Sequence, residues 1–143
     1  MAVNLTEQEL ETLHKGVTGA GLLVSLSDRS FFDTFKEAGA LAKHLGQARQ
    51  RSSSEVVKQV AGMRGTGFGM TAQPDQVERE TLDALRQSVA TLQTKAPDEL
   101  DDYRNFVVEV ARSVGAAAGG GETAEAGALG KIQSALGFGG EPG

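Results

Sequence analysis

Between residues 10 and 24 the apolar side chains Leu10, Leu13, Val17, Ala20 and Val24 recur at steps of three and four. That spacing lays one stripe along a helix surface. Similar stripes return at Val77, Leu82, Leu85, Val89 and Leu92, and at Tyr103, Phe106, Val107, Val110 and Val114. Start signals accompany them. Thr6 and Glu9 stand three apart, as in a capping box, where the threonine oxygen accepts from a free backbone amide and the glutamate returns the bond. Ser30 is placed to cap a second helix through Phe31, Phe32, Phe35, Leu41 and Leu45. Ser52 and Glu55 form another candidate box, opening a short helix with Val56, Val57 and Val60. Pro74 restarts the pattern in a helix that ends near Lys95, and Pro97 suits the first turn of the next one. Asp98, Glu99, Asp101 and Asp102 crowd that helix start, where the dipole favours carboxylates. Gly119 to Gly121 stop it, and a last helix is expected from about Thr123 to Leu136. No segment alternates with the period of two of a strand, so the expected class is all-α, a bundle of five to six helices.

Glycine changes this picture in three places. Gly16, Gly19 and Gly21 interrupt an otherwise strong helix pattern at up to ~1 kcal/mol each relative to Ala, which points to close packing against a neighbouring helix. The stretch GMRGTGFGM, Gly62 to Met70, is too glycine-rich to be helical. The expected organisation is therefore a single helical domain over residues 1–137 with a flexible loop at 62–74, followed by a disordered tail at 138–143.

One heptapeptide occurs almost twice, as EAGALAK from Glu37 to Lys43 and EAGALGK from Glu125 to Lys131. The helices before them also align: Leu13, Val17, Ala20 and Val24 match Tyr103, Val107, Val110 and Val114 at an offset of 90, against 88 for the heptapeptides. Two related helical hairpins with turns of different length leave such a pattern, and so does the chance alignment of two amphipathic helices. Both readings stay open.

The segment VVEVARSVGAAAGGGETAEAGALGKIQSALG, Val107 to Gly137, resembles the helix-turn-helix unit of the tellurite-resistance TerB-like family. Ala118, Gly120, Thr123, Glu125, Leu129 and Gly137 fall in line with that family's pattern, while Gly119 stands in the place of its turn aspartate. In the first hairpin Asp28 takes the acidic place and Glu37 that of the later carboxylate, with Arg29 where the family has glycine. The resemblance implies an all-α, bacterial-type, stress-related protein whose acidic turn residues can bind a divalent metal. On that reading Glu125 joins the ligand set.

Composition narrows the function classes. Cysteine is absent, which removes disulfides, thiolate metal sites and thiol nucleophiles. The hydrophobic fraction is 39% with 5% aromatic, so Ala, Leu and Val must build the core. The start, MAVNLTEQE, has no positively charged leader region, and the most apolar run, Val17 to Leu26, is shorter than the ~20 residues of a membrane span. A cytoplasmic protein without a transmembrane segment is expected; peripheral membrane contact stays open. The net charge of -5 argues against duplex nucleic acid as a partner. Residues 1–72 hold eight Lys and Arg against seven Asp and Glu, residues 73–143 six against twelve. A basic middle at Lys43, Arg49, Arg51, Lys58 and Arg64 thus precedes an acidic half, and the two could attract within one chain or between copies.

Candidate chemistry is sparse. Asp28, Asp33 and Glu37 surround a turn and the start of a helix and could offer three oxygens to a hard cation, or simply stabilise that helix start. His14 and His44, the two histidines of the chain, would approach each other if the first hairpin were antiparallel; two separate surface histidines are the plainer reading. Met63, Arg64, Phe68 and Met70 punctuate the glycine-rich loop and are the candidate partner-binding residues, burial of the same side chains being the alternative. The chain therefore reads as a non-enzymatic protein-interaction or scaffold domain with a protein partner, compatible with self-association and requiring no cofactor. The alternative is a metal- or small-molecule-binding protein of TerB-like type.

Overall fold

Thr6 behaves as its spacing from Glu9 predicts. In a computed structural model of the chain, its amide donates to Glu9 Oε1 at 2.8 Å, and its Oγ1 accepts from the Glu9 amide at 3.1 Å, opening helix α1 (Glu7–Ser25) with a complete capping box. The structure describes residues 5–26, 38–50, 52, 54–63, 73–118 and 122–137, with the side chains of 38–42, 117, 118 and 122–126 left aside. The further helices are α2 (Ala38–Arg49), α3 (Glu55–Ala61), α4 (Pro74–Lys95), α5 (Pro97–Ala118) and α6 (Glu122–Leu136). Six helices and no strand occur among the described residues. Pro74 and Pro97 both open helices, as expected of residues whose missing N–H lacks an intrahelical partner in the first turn anyway. Pro74 is thus helical, although the loop was expected to reach it.

The cap of α3 differs from the expected Ser52–Glu55 box. Ser54 is the N-cap, its Oγ accepting from the Val57 amide at 3.2 Å. The reaching carboxylate is Glu99, from the first turn of α5, which accepts from Ser54 Oγ and from the Val56 amide. Glu55 is exposed. A local box is replaced by a tertiary one because Glu99, in the first turn of α5, lies within reach of the free amides of a seven-residue helix.

Helix α1 packs on both α4 and α5. Glu9 pairs with Lys95 at 2.8 Å and Lys15 with Glu80 at 2.6 Å, so α4 runs antiparallel to α1. Gly19 and Gly16 make the approach close: a Cβ on Gly19 would lie 2.0 Å from Thr81 Oγ1, and one on Gly16 2.8 Å from the Tyr103 hydroxyl. The expectation that these glycines mark tight helix contact holds at both positions. After Ala96, α5 folds back along α4 and lies parallel to α1. Tyr103, fully buried, donates from its hydroxyl to the Leu13 carbonyl at 2.7 Å. The aligned stripes of the sequence therefore face each other: Leu13, Val17, Ala20 and Val24, with Tyr103, Val107, Val110 and Val114, are all buried in one core. Helix α2 packs on α5 and α3, while α6 packs on α4, α5 and α1. Each second helix of the sequence repeat thus touches the first helix of the other.

Among the described residues, ion pairs join Lys15 to Glu80, Lys95 to Glu9 and Lys131 to Glu78 between helices, and Lys58 to Glu55 inside α3; Arg51 and Arg64 of the basic middle lie outside the described residues. Among the described residues no helix is long and apolar enough to cross a membrane.

Candidate functional site

The buried stripe of α5 leaves an outward face at the complementary helical positions. Asn105, Val108, Glu109, Arg112 and Ser113 follow at steps of three, one, three and one, the pattern of a single face. They line a groove of about 570 Å3, within the range of roughly 300–1,000 Å3 typical of ligand sites. From Asn105 to Ser113 it follows about 12 Å of helix. Val108, Glu109 and Ser113 are half-buried, whereas Asn105 and Arg112 are exposed.

Helix α2 brings one side chain to this face. His44 Nδ1 lies 2.6 Å from Ser113 Oγ, and both residues are half-buried. Burial, and then the neighbouring Lys43 charge, holds the His44 imidazole below its ordinary pKa, so it is neutral at pH 7. In the tautomer that carries hydrogen on Nε2, the serine donates to Nδ1.

The two histidines do not form a pair. His44 meets Ser113, ten residues and about 15 Å of helix beyond Tyr103, which bonds to the Leu13 carbonyl. His14 sits instead inside the bundle at 3% exposure, its Nε2 buried without a hydrogen-bond partner, and burial lowers its pKa.

A second cleft, of about 190 Å3 between α1 and α4, is lined by Thr12, Lys15, Glu80, Asp83, Ala84 and Gln87. Its charges engage one another: Lys15 bonds Glu80, whose carboxyl is held below its usual pKa first by that bond and then by Gln76, and Gln87 donates to Asp83 at 2.8 Å.

Of the metal candidates, Asp28, Asp33 and Glu37 lie outside the described residues. Glu125 falls within α6, and its side chain also lies outside the description. Among the described residues no group of three His, Asp or Glu converges as a metal site would. Of the partner-binding candidates, Met63 is half-buried just past α3, its amide donating to the Val60 carbonyl at 3.1 Å; Arg64, Phe68 and Met70 lie outside the described residues. The α5 groove and Ser113 were not singled out from sequence. A polar stripe at Asn105, Glu109, Arg112 and Ser113 was visible there, but a solvated helix face looks the same. No family model, curated protein or solved structure matches the chain.

Proposed function

We propose that the protein is a helical interaction or scaffold domain, stress-related and of TerB-like type, which presents the α5 groove and the Met63 to Met70 segment to a protein partner. The observation that carries this reading is the groove itself, a concave, mixed polar and apolar surface on a helix whose opposite face is fully committed to the core. Most polar groups inside the bundle serve its architecture. Tyr103 bonds the Leu13 carbonyl, Ser88 the Ala84 carbonyl, Thr18 the His14 carbonyl and Ser25 the Leu22 carbonyl. Recognition is thereby left to the surface.

A photo-crosslinking residue at Val108 tests it in cells. The expected result is one discrete crosslinked partner, weakened by Arg112→Glu and lost when Gly65 to Met70 are deleted, with far-UV circular dichroism unchanged. Capture that survives both changes refutes the docking surface. Adding millimolar calcium, magnesium or zinc separates the metal-binding alternative, since a ligand selective for the native state raises the melting temperature; on the interaction reading no shift occurs.

A further inference from the structure

Groups able to do covalent chemistry are few in this chain, which has no cysteine and two histidines. His14 is sealed in the bundle at 3% exposure, out of reach of any substrate. His44 differs. It is half-buried, and its Nδ1 stands 2.6 Å from a hydroxyl that lines an open groove. A serine hydroxyl is a weak nucleophile because its proton must leave as it attacks, and a neutral imidazole at about 2.6–3.2 Å is the usual acceptor for that proton. The half-buried site keeps His44 in this neutral form. The pair is also held in place: Ser113 belongs to a 22-residue helix, five residues before its end, whose other face is in the core, and His44 to a helix packed on it. Arg112 lines the same groove, a cation of the kind that stabilises charge developing on a reacting carbonyl oxygen.

We infer that Ser113 is a nucleophilic acyl-acceptor site, activated by His44, for an activated ester or thioester held in the α5 groove. Ser113 Oγ bonds to the carbonyl carbon as its proton passes to His44 Nδ1. The tetrahedral adduct then collapses, the bond from carbon to the leaving oxygen or sulfur breaks, and the leaving group takes the proton from His44. The products are acyl-Ser113, a free alcohol or thiol, and neutral His44. No oxidant or reductant is involved, and one acyl group is transferred per chain. This modification goes beyond partner docking and does not require a protein in the groove; the isolated chain tests it, so either reading can fail alone.

The experiment treats the purified chain with p-nitrophenyl acetate and follows acetylation by intact mass and peptide mapping. Ser113 is expected to be acetylated first and to a single equivalent. The rate should level off above the imidazole titration, which burial places below the ordinary value of 6.5, whereas an unassisted hydroxyl would climb steadily with hydroxide. Ser113→Ala abolishes this acetylation, and His44→Gln slows it by about 100-fold or more, with circular dichroism and melting curves as controls for folding. Acetylation confined to other residues, an equal rate at Ser113 in His44→Gln, or a pH profile without the plateau overturns the inference. Should His44→Gln melt early, the pH profile of the unaltered chain decides by itself.

Discussion

Replacing Gly19 with Ala tests how tightly α1 and α4 are packed. An added Cβ would lie 2.0 Å from Thr81 Oγ1, 2.9 Å from its Cβ and 3.0 Å from its Cγ2, where ordinary contact begins at 3.4 Å. Rotating Thr81 about χ1 moves Oγ1 and Cγ2 but not Cβ, so the helices must separate by several tenths of an ångström. Overpacking of this kind costs about 1–3 kcal/mol. The gain in helix propensity from Gly to Ala offsets ~1 kcal/mol, leaving a net loss of up to about 2 kcal/mol. The control lies in the same chain: a Cβ on Gly46 meets nothing within 4 Å, so Gly46→Ala keeps the propensity gain and stabilises. Urea unfolding followed by circular dichroism reads both, a loss of about 2 kcal/mol lowering the midpoint by roughly 1 M at ordinary m-values. Thr81→Ala removes two of the three clashing atoms, together with a buried hydroxyl that has no partner. In that background Gly19→Ala should lose part of its effect, the clash with the residue 81 Cβ remaining, a positive coupling in the double-mutant cycle. A Gly19→Ala chain as stable as Gly46→Ala, or one whose loss Thr81→Ala leaves unchanged, would refute the close-packing argument.

Three further outcomes follow from named contacts. Burial lowers the pKa of both His14 and His44; the unfolded chain therefore takes up protons first as pH falls below ~6.5. The stability they contribute is complete above that value and is lost as pH falls through the folded pKa values, so urea midpoints should drop between pH 7.5 and 5.5, less steeply in His14→Gln. Glu99→Ala removes the acceptor of both Ser54 Oγ and the Val56 amide, a loss of about 1–2 kcal/mol, with faster hydrogen exchange at the first amides of α3. Tyr103→Phe deletes the bond to the Leu13 carbonyl at about 1 kcal/mol; since that hydroxyl would stand 2.8 Å from a Gly16 Cβ, Gly16→Ala is better tolerated in the Tyr103→Phe background, as a thermal-melt cycle would show.

Much of the bundle was legible in the chain because helix formation is a local matter. The three- and four-residue steps of Leu13, Val17, Ala20 and Val24 mark a buried face whatever that face meets, and all four are buried. Thr6 and Glu9 close their box within one turn, and Pro74 and Pro97 open helices because the reason lies in their own rings. Gly16 and Gly19 announced close contact without naming Tyr103, Leu85 and Thr81 as the neighbours. What the sequence by itself determined was therefore where α1, α4 and α5 run, how these three start and which faces they bury. Tertiary structure alone decided which elements meet. Ser54 takes its carboxylate from Glu99, 45 residues away, and His44 meets Ser113 at a separation of 69 instead of His14 in its own hairpin. Such pairings depend on how preformed helices dock, a choice made by side-chain shape and close packing between distant segments, and helical spacing carries no record of it.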